Sequence, residues 1–256
     1  MQTLGEDIVL LAIRPDGRLS HWDKLRFALS GSELVRLVAA RKIDLVDKRI
    51  AVVDPIPPHD PFLAAALADI RGAKRPPRAT EWVAKRGRSL VDAYLAQLTA
   101  AGTIRAERRK VLGLIPTTRW YIVDAARQAA VRARLDEIAR GSGPVDTAQA
   151  ALGGLVHSVQ LDRALYPGPD GRVARDRLEQ AAKQAGGAGT GLASAPGTAM
   201  QAAAEAVIVA SQAAVQASID AAVQASIQAS IDAAVSASTS AAHHGGHSGG
   251  AVGGHH

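Results

Sequence analysis

The sequence contains no cysteine among its 256 residues. Disulfide bonds, thiolate nucleophiles and cysteine-ligated metal sites are therefore excluded, and nothing in the composition points to an oxidising compartment. Residues 1–185 also lack an uncharged apolar run of the length that a bilayer-spanning helix needs, roughly 20 residues. The first residues, MQTLGEDIVLLAIRPDG, lack the basic leader of a secretory signal, and acidic residues precede their short apolar run. We therefore expect a cytoplasmic protein.

Signatures of catalysis are missing as well. The sequence has no nucleophile elbow, no phosphate-binding P-loop and no dinucleotide-binding fingerprint. His21, His59 and His157 are scattered without the spacing of metal ligands, and His157 falls in an apolar helical stretch, where a structural role is favoured over that of a base. We predict that the protein is not an enzyme and that it uses no cofactor and no metal.

Positive charge is absent from the C-terminal part of the chain. All 30 lysine and arginine residues precede residue 184, together with 21 of the 24 acidic residues, so this N-terminal part carries a net charge of +9. A basic domain of this size favours phosphate-bearing partners, which are either lipid surfaces or nucleic acids.

The C-terminal stretch has low complexity. Residues 186–197 are rich in Gly, Ala and Ser, which is typical of a linker. Residues 199–242 are alanine-rich, and Val or Ile recurs at every fourth position from Val215 to Val235. In a helix of 3.6 residues per turn this stripe winds around the axis, so it suits right-handed association or a fraying helix without a partner. The final Gly-rich segment holds five of the eight histidines and indicates a flexible tail or a loose transition-metal site. We predict a folded domain over 1–185 and a mostly disordered tail over 186–256.

A basic and apolar stretch, Thr103–Asp124, predicts a central β-hairpin. Thr103–Ile104 and Trp120–Val123 carry the β-branched and aromatic residues of strands, and a turn is expected at Pro116. Aliphatic side chains at a hairpin tip can enter the headgroup layer of a membrane while neighbouring cations contact lipid phosphates. The predicted membrane-inserting residues are Arg108, Arg109, Lys110, Val111, Leu112, Leu114, Ile115, Arg119 and Trp120. The alternative is that Val111–Ile115 packs on the core and that the cations are solvated.

Periodicity elsewhere predicts mainly helices. Asp60 and Pro61 mark a helix start, and Ser89 with Asp92 forms a candidate capping box for a helix that Gly102 ends. The other expected elements are an apolar helix or strand at Leu4–Ile13, a turn at Arg14–Gly17, an extended piece at Arg18–Trp22, helices at Ser32–Ala40, Thr80–Arg86, Ala125–Arg140, Thr147–Leu165 and Arg172–Gln184, and a hairpin at Lys42–Val53 that turns near Asp47–Arg49. We therefore predict a mainly α fold, a compact helical domain with two β-hairpins.

Several phrases of the sequence, in this order, resemble the Golgi phosphoprotein 3 family, and its bacterial members in particular. They are LGEDIVLLAI, the Trp of LSHWDK, LSGSELVRLVAARKIDL, SLVDAYLAQLTAAGTIRAERRKVLGLIPTTRWYIVD and LVHSVQLDRAL, and they span about residues 3–182. The resemblance implies a compact, mostly helical domain that binds membranes peripherally. From the eukaryotic members it implies recognition of phosphatidylinositol 4-phosphate, a hydrophobic hairpin that inserts into the bilayer, and an adaptor role towards cytoplasmic tails of membrane proteins.

The resemblance assigns the headgroup pocket of this family to four positions, Trp22, Ser30, Leu90 and Ala93. The family has arginine at the last three of these. Arg26 and Arg86 each precede one of them by one helical turn and are candidate substitutes. We therefore predict a headgroup site of Trp22, Arg26, Arg86 and Arg88 that discriminates by charge more than by headgroup identity. The alternative for Trp22 is a packed core position.

Two other functions stay open. A helix followed by a basic hairpin also resembles a winged-helix DNA-binding module, in which Ser89–Ala101 would be the recognition helix. That stretch has no Lys or Arg, although contacts with bases and phosphates normally need them, so nucleic acid is the less favoured partner. The third function is a structural interaction module that uses the C-terminal tail.

Overall fold

The computed structural model of the chain describes residues 3–86, 89–111, 115–141 and 146–187, together with 220, 223–225 and 228. The helices of these ranges are α1 (Leu4–Ala12), α2 (Trp22–Ala39), α3 (Pro61–Gly72), α4 (Ala79–Arg86), α5 (Leu90–Ala100), α6 (Ala125–Arg140), α7 (Thr147–Ser158), α8 (Leu161–Leu165) and α9 (Arg172–Gly187). The strands are β1 (Ile43–Val46), β2 (Arg49–Val52), β3 (Ile104–Val111) and β4 (Ile115–Ile122), which form two antiparallel hairpins. The predicted fold class is therefore confirmed.

Helix α1 lies in the centre of the fold. Its residues 8–12 are buried, and it contacts α2, α5, α6 and α7. Thr3 caps it: the Thr3 hydroxyl accepts from the Glu6 N–H, and the Glu6 carboxylate accepts from the Thr3 N–H. Glu6 is itself buried and pairs with Arg127 of α6 at 2.7 Å. The core thus forms around an apolar helix whose few charged groups are paired.

Helix α2 starts earlier than the sequence pattern predicts. It begins at Trp22, which corrects the helix start predicted at Ser32 and the end of the extended piece predicted at Arg18–Trp22. Within that piece, Leu19 pairs with Ile13 in an antiparallel bridge. One continuous helix was not predicted here because Ser30 and Ser32 lower helix propensity: serine side chains compete with the backbone for hydrogen bonds. Both hydroxyls instead donate to carbonyl groups of the preceding turn. The burial of apolar side chains such as Phe27 outweighs the low helix propensity of these serines.

The first hairpin, β1–β2, turns at Asp47 and Lys48, as predicted. Both residues have positive φ angles, 49° and 63°, which is the arrangement of a two-residue turn that matches the twist of the strands. Beside β2 lies a short extended segment: Ile50 N–H donates to the Pro77 carbonyl, and Ala79 N–H donates to the Lys48 carbonyl.

The second hairpin, β3–β4, is longer than predicted. Its strands pair from Ile104 and Ile122 at the base to Val111 and Ile115 at the tip. The turn predicted at Pro116 is wrong, because Pro116 lies within β4 opposite Lys110. The short strand lengths are also wrong, since RAERRK is extended although it lacks the alternation of apolar and polar residues by which strands are found. Residues 112–114 of the tip lie outside the described ranges.

Helices α3, α4 and α5 pack against α2. Asp60 caps α3 as predicted, because its carboxylate accepts from the N–H groups of Phe62 and Leu63. Gly102 follows α5 with a φ of 67°, also as predicted. The capping box predicted at Ser89 is wrong: Ser89 has helical backbone angles where a cap needs extended ones, and its side chain forms no cap hydrogen bond.

The helix predicted over Thr147–Leu165 is two helices. They are separated where Gln160 adopts a left-handed backbone with a φ of 62°. The Gln160 side chain accepts from Lys24 Nζ at 2.7 Å, which ties this corner to α2. Gly153 permits close packing, since a Cβ there would lie 3.3 Å from Leu178 Cδ2 of α9.

Within the described ranges, none of the helices combines the length and the apolarity that a bilayer crossing needs. The chain divides into two compact units, Met1–Val215 and Gln216–His256. In the second unit the described residues, 220, 223–225 and 228, are helical. The predicted boundary near residue 185 stays a prediction, and most of the predicted tail lies outside the described residues.

Candidate membrane-binding surface

Two tryptophans stack at one end of α2. Trp22, the first residue of the helix, is 43% exposed, and its ring lies on the ring of Trp120 with centroids 6.0 Å apart and planes 21° apart. The core position considered for Trp22 is therefore wrong. A predicted headgroup residue and a predicted hairpin residue thus meet near the base of the hairpin, where Trp120 pairs with Ala106. Such rings, with an apolar face and an N–H donor, suit a membrane–water interface.

The β3–β4 hairpin has two chemically different faces. Residues two apart along a strand share a face, and directly paired residues share it across the strands. One face, here called the tryptophan face, carries Ala106, Arg108, Lys110, Pro116, Thr118 and Trp120. The other, the tyrosine face, carries Arg105, Glu107, Arg109, Thr117, Arg119 and Tyr121.

The tyrosine face has paired charges. Glu107 binds Arg105 and Arg109 with N–O distances of 2.9 and 3.2 Å. Both guanidinium groups also lie over the ring of Tyr121, 5.5 and 5.9 Å from its centroid, where the ring quadrupole attracts them. Arg109 and Arg119, which the sequence assigned to the membrane contact, therefore lie on the face that carries its own acid.

The tryptophan face carries cations without an acid. Arg108 and Lys110 are exposed, and the residues paired with them are Thr118 and Pro116. Neither cation forms an ion pair with a residue that the structure describes. Arg108 lies diagonally across from Trp120, within the reach of a long side chain. This face therefore runs from the tryptophan pair to the tip with its full positive charge available to an external anion.

Arg26 lies one helical turn after Trp22 on the same side of α2. Its guanidinium is 4.5 Å from the centroid of the Phe27 ring. The Nε atom is buried and has no hydrogen-bond partner among the described residues. A buried donor in this state has lost its water without gaining an acceptor, which is costly. Arg26, a predicted headgroup residue, thus has an unpaired hydrogen-bond donor one helical turn from the tryptophan pair.

Arg86, in contrast, is bound to the protein interior. Its Nε donates to Glu33 at 3.1 Å, and its guanidinium lies 5.8 Å from the centroid of the Trp82 ring. Burial raises the pKa of the Glu33 carboxyl to about 7, against the opposing charge of Arg86. Arg86 therefore serves a structural ion pair. Arg88, the remaining predicted headgroup residue, lies outside the described ranges.

The turn predicted at Arg14–Gly17 positions the hairpin. The Gly17 carbonyl accepts a hydrogen bond from the Trp120 N–H at 2.9 Å. Gly17 has a φ of +76°, and a Cβ there would lie 2.9 Å from the Cβ of Arg119, so glycine suits this contact on both counts. The sequence indicates the turn but not its contact, because no local pattern links residue 17 to residue 120.

The family model described as Golgi phosphoprotein 3 (GPP34) matches residues 4–225. This chain belongs to the Golgi phosphoprotein 3 family. The match extends past residue 182, where the resemblance of the sequence phrases ends, and reaches into the alanine-rich stretch. A search of curated proteins gave no match.

In this Golgi phosphoprotein 3 family member, the three positions assigned to pocket arginines present no charge. Ser30 is buried, and its hydroxyl donates to the Arg26 carbonyl at 2.9 Å. Leu90 is buried in α5, and Ala93 is half-buried. Arg26, one helical turn after Trp22, and Arg108, diagonally across from Trp120, are cations that the helix and hairpin geometry brings near the tryptophan pair.

Two of the described histidines, His21 and His157, lie near the Asp162 carboxylate. His157 Nδ1 lies 2.8 Å from Asp162 Oδ2 at the corner between α7 and α8, a contact that fits the predicted structural role. His21 immediately precedes α2, and burial lowers its pKa. Within the described ranges, no group of three or more His, Asp or Glu side chains could hold a metal ion.

Helix α5, the recognition helix of the DNA-binding alternative, packs into the core. Its apolar residues, Tyr94 and Leu98 among them, are buried. Its exposed positions are Asp92, Ala96, Thr99 and Ala100. Since none of these can neutralise a phosphate, the helix does not favour DNA binding.

Proposed function

We propose that this protein binds anionic membrane surfaces peripherally, through the tryptophan face of β3–β4 and the apolar tip beyond it. Membership of the Golgi phosphoprotein 3 family supports a lipid-binding or adaptor role at the level of the family. We extend this to a non-enzymatic protein on the cytoplasmic face of a membrane, with cytoplasmic tails of membrane proteins as further partners.

The unequal pairing of charge on the two hairpin faces carries this proposal. Arg105 and Arg109 share Glu107, whereas Arg108 and Lys110 have no acid on their face. Each basic residue near an anionic bilayer contributes about 1 kcal/mol of attraction. With Arg119 included, the tyrosine face has three cations and one acid, so both faces carry a net charge of +2. What distinguishes the tryptophan face is that its two cations lie beside the stacked tryptophans and can contact lipid phosphates without competition from a carboxylate.

The tip supplies an apolar contribution in addition. Val111 and Ile115 form the last backbone pair of the hairpin, and Leu-Gly-Leu lies between them in the sequence. Burying one leucine side chain contributes roughly 1.5–3 kcal/mol. Cations on strands that lead to an aliphatic tip allow electrostatic attraction and apolar insertion to act together.

We expect this surface to select lipids by charge more than by headgroup. Selectivity for one phosphate geometry relies on bidentate arginines. At the three positions where the family resemblance places such arginines, this chain has Ser30, Leu90 and Ala93. Phosphatidylinositol 4-phosphate is therefore expected to bind little better than an equally charged mixture of simpler lipids. A preference of about a hundredfold, or about 2.7 kcal/mol, would contradict this expectation.

Vesicle co-sedimentation of two double variants tests the proposed face. Arg108→Ala/Lys110→Ala removes two cations from the tryptophan face, and we expect about a 30-fold loss of affinity for anionic vesicles. Arg105→Ala/Arg109→Ala removes the same charge from the tyrosine face of the same strand and is expected to lose clearly less. Equal losses would mean that net charge, and not this face, determines binding.

A further inference from the structure

Two arginines face each other beside the first hairpin. Arg49 of β2 and Arg78 form an isolated antiparallel bridge. The hydrogen bonds on either side of it, donated by the N–H groups of Ile50 and Ala79, are 2.9 and 3.0 Å long. Bonds that flank a bridge in this way define a non-hydrogen-bonded pair, in which the Cα atoms are about 4.5 Å apart and the side chains are closest. The two guanidinium groups therefore project from neighbouring positions on one face.

Like charges in directly opposite positions destabilise a pair of strands. Both arginines are exposed, and neither forms an ion pair within the part of the chain that the structure describes. Arg49 Nη1 donates to the Pro76 carbonyl at 2.8 Å, which orients the guanidinium without neutralising it. The exposed charged residues around them are three cations and two acids: Lys48, Lys74 and Arg75, and Asp44 and Asp47. This edge thus keeps an excess of positive charge.

An exposed valine shares the face of the two arginines. Val46 pairs directly with Arg49 across β1–β2 and is 55% exposed. Val46, Arg49 and Arg78 therefore form one row across three neighbouring segments, here called the valine–arginine row. Val53 and Ile56, just beyond β2, are exposed as well. Cations combined with aliphatic side chains suit an anionic bilayer, whose phosphates attract the first and whose acyl boundary accepts the second.

The valine–arginine row and the tryptophan pair lie at opposite ends of α2. Trp22 is the first residue of this helix, and β1 begins at Ile43, four residues after its last residue. At 1.5 Å per residue, the 18 residues of α2 span about 27 Å. Two surfaces at the ends of one rigid helix meet the same flat membrane if the helix lies along it and both surfaces face the bilayer.

We infer that the valine–arginine row is a second contact with the anionic bilayer and that α2 lies along the membrane plane between the two contacts. This inference rests on the proposed function, because the hairpin brings the protein to the same membrane. Once the hairpin is bound, the row is held close to lipid, so a contact that is weak by itself raises the overall affinity.

Environment-sensitive fluorophores can report the two contacts separately, because the full chain has no native cysteine to be labelled. Val46→Cys places a label in the row, Thr118→Cys places one on the tryptophan face of the hairpin, and Val173→Cys labels a matched exposed valine on α9. Phosphatidylcholine vesicles with phosphatidylglycerol are compared with phosphatidylcholine alone. With the mixed vesicles, we expect a blue shift and protection from an aqueous quencher at positions 46 and 118, and neither at position 173.

The outcomes separate the inference from the proposed function. A response at position 118 without one at position 46 would overturn the second contact and leave the hairpin proposal in place. No response at either position would overturn the proposed function and the second contact with it.

The double variant Arg49→Ala/Arg78→Ala tests the charge of the row in the same vesicles. We expect about a 30-fold loss of affinity, equivalent to about 2 kcal/mol. The control Arg140→Ala/Arg172→Ala removes the same charge from exposed positions of α6 and α9 and is expected to change affinity far less. Melting curves check the fold, which the removal of opposed like charges should not destabilise. Equal losses in the two double variants would overturn the inference, because net charge alone would explain them.

Discussion

At the scale of single residues, Glu33 couples the stability of the fold to pH. It is fully buried; one carboxylate oxygen accepts from Arg86, and the other has no partner among the described residues. Burial raises the pKa of this carboxyl from its usual 4.5 to about 7 in the folded protein. The unfolded chain therefore releases the proton at lower pH than the folded protein does. Glu33 consequently destabilises the fold progressively as the pH rises through this window.

The variant Glu33→Gln removes this dependence. At about 1.4 kcal/mol per pKa unit, the shift corresponds to about 3 kcal/mol above pH 7. We expect the free energy of unfolding of the variant, relative to that of the native protein, to be larger by about this amount at about pH 8 than at about pH 4. Arg86, left without its acid, is partly exposed and can reach water. Urea unfolding at both pH values measures the difference, and the same difference at both would show that Glu33 titrates normally.

Gly17 and Gly102 allow backbone strain to be separated from steric contact. Their φ angles are +76° and +67°, but an added Cβ lies 2.9 Å from the Arg119 Cβ at the first position and has nothing within 4 Å at the second. A left-handed alanine costs about 1–2 kcal/mol at either position. We expect Gly102→Ala to lose this amount of unfolding free energy and Gly17→Ala to lose clearly more, because β4 must move. Equal losses in urea denaturation would show that the hairpin accommodates the Cβ without cost.

At the scale of the elements, local chemistry decides what the sequence can predict. The cap at Asp60, the turn at Asp47 and Lys48, and the stop at Gly102 each depend on residues within a few positions, and each prediction is confirmed. The start of α2 and the corner at Gln160 depend on contacts that are distant in sequence, and local patterns missed both.

The site follows the same division. The family resemblance indicates Trp22 and the basic hairpin, but the stack of Trp22 on Trp120 joins positions that no local rule connects. Strand alternation could have separated Arg108 and Lys110 from Arg105 and Arg109, had the hairpin register been known. The register could not be derived from the sequence, because the turn was predicted at Pro116, which lies within β4.

The apolar tip is the element whose contribution to binding is the easiest to isolate. Leu112→Ser/Leu114→Ser should weaken affinity for anionic vesicles by about two to four powers of ten if both side chains insert. Val123→Ser/Val173→Ser, at exposed positions outside the tip, is the matched control and should have little effect. A melting curve and a binding isotherm are measured on each variant. Unchanged melting with unchanged binding would leave the tip without a membrane role, whereas a much lower melting temperature would place the leucines in the core.

At the scale of the whole molecule, charge is segregated along the chain. The N-terminal part carries every lysine and arginine, whereas the stretch after Lys183 contains three acidic residues. In the folded part, several buried acids form ion pairs: Glu6 with Arg127, Asp7 with Arg134 and Glu33 with Arg86. The cations of the tryptophan face and of the valine–arginine row are among those that form no ion pair within the described ranges. Net charge therefore describes the attraction to a membrane less well than the location of the unpaired cations does.

Truncation after Gly187, the last residue of α9, tests this segregation. The shortened chain keeps all 30 basic residues, so we expect it to bind anionic vesicles as tightly as the full chain. For both chains, affinity should fall steeply between about 0.1 M and about 1 M salt, as the Debye length shrinks from about 10 Å to about 3 Å. A weaker truncated chain with an unchanged melting temperature would give the tail a role in binding, as the interaction-module alternative requires. Binding that is unchanged in molar salt would overturn the electrostatic account, because exposed cations cannot attract a surface beyond the screening distance.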